Sequence, residues 1–410
     1  MSSAAATQST TVDDPRVPLR FGNGTAVFLV SLAGLMMANL APLIMSVIEQ
    51  IGFDVVASGN ILTWGLFASA VVGLGTSRAA AGQRRRTIAS SGLAVAVAGF
   101  LFAALNGHSH LIVAGFIVGA IGVGTAISTS GAAIAAVRNP NRVSATSGVV
   151  NRLLVMVVLA VIPILGLAQI TVFGALALLS LLSLAVTVWL PSTPEVSSLD
   201  VITDTDTRAE PPKTPRRVIL AGIGVLIVFP LWGTSEDAVW TLAPVLGNAV
   251  GLSEQSLGFA LSAAAGVGAA AMVIVTLGGS RIGRALPLTI ALILGGGTKI
   301  WIGMTSDPQT LAILIIIVNT IYAFAFVLFL ATAAGLDARG SWSGPLIGAY
   351  IVGSSFAPII GAWIIDGVGI TAFGVAMGAI SFILIVPTIL IARVSTQVES
   401  NLNHLPERTS

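Results

Sequence analysis

The sequence predicts an all-α polytopic membrane protein, with twelve transmembrane helices forming two six-helix repeats around a central cavity. Three observations predict it. The 410-residue chain is 55% hydrophobic and only 9% charged, with a mean hydropathy of +0.97, whereas a soluble domain carries about 25% charged residues. Its basic residues gather in alternate loops. Short phrases of the first half return, in the same order, in the second. A charge deficit of this size cannot coat a water-facing surface, so lipid is the solvent for most of the chain.

Apolar runs of roughly 20 residues, the length that crosses a bilayer, fall at 24–47, 55–78, 87–106, 110–134, 144–168, 170–190, 218–246, 256–279, 286–304, 309–334, 345–366 and 371–393. They lack the period-two alternation of a membrane barrel. Positive charge collects in cytoplasmic loops. With the N-terminus placed inside, every one of the 19 basic residues except Arg152 and Lys299 falls in a cytoplasmic loop or tail. An error in the span count would scramble that segregation. The expected topology is a multi-pass protein of the cell (inner or plasma) membrane with both termini cytoplasmic. The N-terminus is polar through about Gly24, with Asp13 and Asp14, and lacks the basic region and short apolar core of a signal peptide. The first apolar segment is therefore expected to stay in the mature protein.

The longest interhelical loop, 191–217, is rich in Pro, Ser, Thr and acids and reads as a linker. It divides the chain into a cytoplasmic tail (1–23), a first half (24–190), the loop, a second half (218–393) and a second cytoplasmic tail (394–410). LGTSR (74–78) closes span 2 and LGGSR (277–281) closes span 8. NLAPLI (39–44) in span 1 answers TLAPVL (241–246) in span 7. PILG (163–166) in span 5 answers PIIG (358–361) in span 11. Parallel repeats of this kind mark a large class of transporters.

At this point the chain resembles the major facilitator superfamily over essentially its whole length. The family motif between helices 2 and 3 falls on Gly73 and LGTSRAAAGQRRR (74–86). Arg78 stands where the family arginine stands, Ser77 replaces the acid, and the spacing before Arg84, Arg85 and Arg86 is longer. SRIGR (280–284) repeats the pattern with Arg281, Gly283 and Arg284, again with a serine for the acid. The resemblance implies cytoplasmic gating loops at Arg78, Arg84, Arg281 and Arg284. Without the acids these arginines can still hold helix C-terminal carbonyls or lipid phosphates, and their other reading is topology-setting charge. Gly115 occupies the place of the family arginine in helix 4, and only IPILG (162–166) remains of the helix 5 antiporter signature.

Ionisable groups at membrane depth cost at least about 2.5–3.5 kcal/mol each, so they face a cavity or a partner. Glu236 and Asp237 lie in LWGTSEDAVWTLAP (231–244) of span 7, just after Pro230 and Gly233. They are adjacent and point about 100° apart. One reading makes one of them a proton carrier; the other puts both in a wet external vestibule. Arg152 follows Asn151 in span 5, roughly 12 Å from the cytoplasmic end. It clamps a carboxylate or phosphate in the cavity, pairs with an acid of span 7, or snorkels to the headgroups. Lys299, two residues before Trp301, reads as an interfacial lysine of a peripheral helix. Asn39 and Thr241 hold equivalent places in the repeated LAP context, and Asn319 and Tyr322 share a helix face. Trp64, Trp240, Tyr350 and Phe356 are candidate walls; each of these singly also reads as a packing residue.

Cysteine is absent, which excludes disulfides and thiolate chemistry. His108 and His110 read as loop histidines, and His404 lies in a polar tail. No catalytic residue, metal or cofactor is expected. Despite a net charge of +2 and a pI near 9.5, no nucleic-acid partner is expected, because the basic residues flank apolar runs. Glycine-rich runs such as 114–124 and 293–297 lack the Gly-Lys-Ser/Thr of a phosphate loop and read as close helix contacts. The expected function is a secondary active transporter working by alternating access, taking up a small organic anion (carboxylate or aromatic acid) with protons. The alternative is proton-driven efflux of hydrophobic or drug-like compounds, and a distant one is a polytopic membrane enzyme or sensor. The partners expected are a small-molecule substrate, protons and the bilayer, with the monomer forming a complete unit.

Overall fold

The computed structural model describes residues 16–191, 215–278, 283–336 and 342–403. Its first half runs α1 (Phe21–Asn39), α2 (Ala41–Gln50), α3 (Val55–Ala81), α4 (Arg85–Leu105), α5 (Ser109–Ala135), α6 (Pro140–Leu165) and α7 (Gln169–Val186). The second runs α8 (Arg216–Thr241), α9 (Ala243–Ala249), α10 (Glu254–Gly278), α11 (Ala285–Met304), α12 (Pro308–Ala334), α13 (Ser343–Ser354), α14 (Ala357–Ile383) and α15 (Ile385–Asn403). Among the described residues eleven stretches are long and apolar enough to cross a bilayer, and the last, Pro345–Ser400, holds 56 residues, enough for two crossings. Gly369 breaks it with φ +88, a conformation in which a side chain is strained. The twelve expected spans are thereby accounted for.

The repeated LAP phrase has a backbone meaning. α1 gives way to α2 at Leu40 (φ −92, ψ 10) and α8 to α9 at Leu242 (φ −90, ψ 7). In each case proline sits in the first turn of the second piece, where its missing N–H is tolerated but cannot continue the helix before it. Spans 1 and 7 therefore bend at matching points, and the cavity lies beside both bends. Two starts are fixed by aspartates: Asp54 accepts from the Ala57 N–H and Asp307 from the Thr310 N–H, each at 2.7 Å. The bonds from Thr310 hold the exposed Asp307 carboxyl below its ordinary range.

The hydrophobic cores divide unequally. One large core joins both halves on the side away from the arginine-bearing loops, running from Met36–Ile48 through Phe116 and Phe173 to Leu242, Leu261 and Phe373. Towards the arginine-bearing ends the core splits in two. One part is built on Val27, Leu93 and Val137 of the first half, and the other on Val225, Phe229 and Leu346 of the second. The seam is tight where the core is shared. Gly59 lets α3 touch Pro358 and Ala362 of α14, the Ile359 N–H donates to Thr63 Oγ1 at 3.1 Å, and Ser262 Oγ donates to the Met156 carbonyl at 2.7 Å. Gly258 leaves room for the Pro163 ring. The molecule is closed at the arginine-poor face and divided at the arginine-rich one.

Gly258→Leu is accordingly expected to wedge α10 from α6 and shift the protein towards a state open at the arginine-poor face. The native chain has no cysteine, so a single Thr241→Cys reporter reads this directly. Labelling by an impermeant thiol reagent from that face should rise several-fold; unchanged labelling would mean that this seam does not gate access.

Candidate functional site

A cavity of about 260 Å³ lies at the divide, lined by α1, α3, α5 and α6 of the first half and by α8, α10, α12 and α13 of the second. Arg152, Glu236, Asp237, Asn39, Thr241, Asn151, Asn319, Tyr322, Trp240 and Tyr350 all contribute to its wall. Polar residues inside a bilayer gather where water or a partner receives them, and this cavity is where they gather.

Local sequence places the groups. Pro230 removes one backbone hydrogen bond from α8, and one turn on Thr234 Oγ1 donates to the Pro230 and Gly353 carbonyls at 2.9 and 3.0 Å, tying α8 to α13. Gly233 then presents no side chain where the Tyr350 ring lies. One turn further on, Asp237 Oδ2 accepts from the Tyr350 hydroxyl at 2.8 Å, and Tyr350 shares a 2.7 Å hydrogen bond with the Tyr322 hydroxyl. Trp232 stacks on the Tyr322 ring (centroids 5.4 Å, 15°) and Phe229 on Trp232 (5.9 Å, 18°), so both phenols stand against a stiff aromatic block. Phe326 touches both tyrosine rings.

Arg152 comes from the opposite half. Its Nη1 donates to Asn319 Oδ1 at 3.0 Å, and its guanidinium carbon lies 5.4 Å from the Tyr322 ring centre. Both partners are neutral, and among the described residues Arg152 enters no ion pair within 4 Å. Beside it, Asn39 Nδ2 donates to Asn151 Oδ1 at 3.3 Å, and Trp240 Nε1 to the Asn39 carbonyl at 3.2 Å, stitching the two bent spans across the divide. Thr241 lines the wall next to them.

Lys299 overturns its sequence reading. It is not interfacial: its residue exposure is 0%. Its ammonium lies 2.7 Å from Glu236 Oε1 and 2.8 Å from both Ser235 Oγ and Ser381 Oγ, so its three donors meet three oxygens. Nearness to Trp301 along the helix does not set the facing of Lys299. Two residues turn a helix by about 200°, and Trp301 indeed faces outward while Lys299 faces in. The glycines around it carry the signal: Gly296 and Gly303 set α11 directly against α14 at Gly378 and Gly374, and Gly295 lies against Ile321 of α12 and the Glu236 carboxylate. Trp64 and Phe356 are also corrected. Neither lines the cavity; both are exposed on the outer flank and are joined through Phe67. Sequence reading missed Ser69, Trp232 and Phe326, whose types carry no signal inside apolar helices.

Of the loop arginines, Arg78 and Arg84 are exposed and Arg281 lies outside the described residues. Arg284 pairs with Glu399 at 2.7 Å and donates to Ser395 Oγ at 2.7 Å. In the first half, Arg85 donates to the Ala80 and Pro191 carbonyls and Arg86 to the Leu190 carbonyl. Each loop thus fastens the last helix of its own half, and these bonds do not cross the divide. His108 and His110 flank the start of α5, with His110 edge-on to Phe53. Among the described residues no three potential metal ligands cluster.

The Major Facilitator Superfamily profile matches residues 26–344, more than half of the chain. The chain belongs to this superfamily. None of the curated protein sequences matches it. Among solved structures, the human organic anion transporter MFSD10 (TETRAN) is similar at 16% identity and a TM-score of 0.66, with 90% of this chain and 99% of that one covered. A D-xylose-proton symporter is similar at 14% identity and a TM-score of 0.65, covering 91% and 95%. The peptide transporter POT in complex with sulfate is similar at 13% identity and a TM-score of 0.65, covering 94% and 97%. At these identities the likeness is one of fold. This superfamily member is a multi-pass membrane transporter, not an enzyme.

Proposed function

We propose that this protein is a proton-coupled importer of a small organic anion, working by alternating access with both termini cytoplasmic. The observation that carries the reading is the unequal pairing of its four membrane-embedded charges. Glu236, in the cavity wall, is neutralised from behind by Lys299, which does not line the cavity. Arg152 and Asp237 hold only neutral partners, an amide and phenols. A carboxylate entering the cavity displaces Asn319 from Arg152 readily, because a charge-assisted, bidentate pair is stronger than a bond to a neutral amide. Asp237 is then the carboxylate available to carry the proton. The small organic acid sits between the halves with Asn39, Asn151, Trp240 and Thr241 along its side, and Tyr322 and Tyr350 behind it.

In this scheme the loop arginines act as gates. Arg78, Arg84 and Arg284 meet the opposite half only when the arginine-rich face closes, and Arg284 must then leave or carry Glu399. Arg284→Gln is expected to weaken the fastening of α15 and slow turnover while leaving substrate affinity within about threefold, since exposed and half-exposed ion pairs contribute little individually. Uptake rates and binding titrations on one preparation separate the two effects.

The principal test is substrate-induced proton movement in reconstituted vesicles, screening organic acids and lipophilic cations with Arg152→Gln alongside. An organic acid that brings protons with it, and loses both binding and proton movement in Arg152→Gln, supports the reading. Lipophilic compounds moving protons in the opposite sense, regardless of Arg152, would establish an exporter instead.

A further inference from the structure

The cavity has two ends of different chemistry. α6 and α12 make one, with Arg152, Asn151 and Asn319, and Tyr322 joins it to the other through its hydrogen bond to Tyr350. α3 and α13, together with the middle of α8, make the other, with Ser69, Ser354, Tyr350 and Asp237. Every polar group at the first end has a partner or is a cation awaiting an anion. At the second, Asp237 is bonded to Tyr350 and Ser354 to the Ile351 carbonyl. Ser69 is unaccounted for. It is 2% exposed, it lines the cavity, and its hydroxyl has no hydrogen-bond partner.

Ser58 on the same helix is also buried and unpaired, but it does not line the cavity, whereas Ser69 does. Thr76 and Ser77, two turns further along α3, return their hydroxyls to the Val72 and Leu74 carbonyls at 2.7 Å, the ordinary recourse of a helical hydroxyl. The backbone at Ser69 is also pinned, because its carbonyl lies against Gly124 of α5, where a Cβ would collide with it. A buried hydroxyl on a fixed backbone, unpaired in the empty cavity, is costly unless something supplies its partner.

We infer that Ser69 receives a hydroxyl carried by the substrate at the end remote from its carboxylate, so that the transported class is hydroxy-substituted organic monoacids. This rests on the organic-anion reading above. A hydroxyl suits the site because Ser69 both donates and accepts. A second carboxylate there would face the negative charge of Asp237, and a bare hydrocarbon tail would leave Ser69 unpaired. Arg152 fixes the head, Trp240 and Tyr322 lie along the body, and Ser69 reads the tail. A site built to hydrogen-bond a substrate hydroxyl discriminates strongly against the analogue lacking it.

The test is calorimetric titration of the full-length protein in detergent with 3-(4-hydroxyphenyl)propanoate and 3-phenylpropanoate, which differ by the one hydroxyl. The native protein, Ser69→Ala and Arg152→Gln are compared. Ser69→Ala removes one oxygen and no packing. The hydroxylated acid is expected to bind at least about tenfold tighter to the native protein, with the difference falling to within about threefold in Ser69→Ala. Equal binding of the two acids by the native protein overturns the inference, as does a preference that survives Ser69→Ala; in both cases binding lost in Arg152→Gln leaves the anion reading standing. If neither acid binds the native protein, or both bind independently of Arg152, the anion reading falls and takes this inference with it.

Discussion

Replacing Lys299 by methionine on its own is expected to destabilise the protein by about 3–5 kcal/mol, and combining it with Glu236→Gln to restore most of that loss. Breaking a buried ion pair from one side leaves an uncompensated charge, whereas replacing both partners with neutral groups of similar volume is often close to neutral. Here the pair is fully enclosed, with the lysine at 0% exposure and its ammonium shared among Glu236, Ser235 and Ser381. Glu236→Gln alone strands the ammonium and is expected to be as harmful as Lys299→Met. In the double variant Ser235 keeps its bond to the Trp232 carbonyl at 2.8 Å. Thermal unfolding of the four proteins in detergent closes a double-mutant cycle. Additive losses would mean that the two groups do not act as a pair. The cycle also bears on function: a double variant that folds but no longer couples substrate to protons would put Glu236 on the proton path and contradict its assignment as a locked charge.

The fold was legible because the bilayer imposes a coarse rule. A span needs an unbroken apolar run, and arginine-bearing loops must alternate with others, so composition alone fixed number and order. The two LAP bends were legible as repeated prolines near equivalent polar residues. The cavity was legible for a related reason: Arg152, Asp237, Asn319 and Asn39 are expensive in lipid, so their presence at membrane depth already points inward. What was not legible was the facing of residues on helices that are apolar all round. Trp64 and Phe356 lie among small and apolar neighbours, much as Tyr350 does, yet are exposed on the outside of the bundle. Lys299 was misplaced by depth when facing was what mattered. Ser69 was invisible, since a serine in a span usually satisfies itself, and an unpaired hydroxyl in the cavity wall is what distinguishes this one.

Asp237→Asn is expected to abolish pH-gradient-driven accumulation while exchange of labelled for unlabelled substrate continues. The amide is a neutral isostere of the protonated acid, and its oxygen still accepts from the Tyr350 hydroxyl, which lies 2.8 Å from the native carboxylate. The cavity therefore keeps its shape, and Arg152 keeps its neutral partners Asn319 and Tyr322. What is lost is the change of charge that lets the proton-free, empty carrier return. Exchange needs no such return, because the loaded carrier crosses in both directions. Uptake by the native protein should fall as pH rises, since proton loading precedes transport, whereas exchange by Asp237→Asn should be nearly flat with pH. Glu236→Gln is expected to differ in kind. It leaves Lys299 unpaired and damages the fold, so exchange and accumulation should decline together. Two carboxylates one residue apart, turned about 100° from each other on α8, should thus give separable phenotypes. If Asp237→Asn still accumulates substrate against its gradient when a pH difference is imposed, the proton travels by another group and Asp237 is only an acceptor for Tyr350.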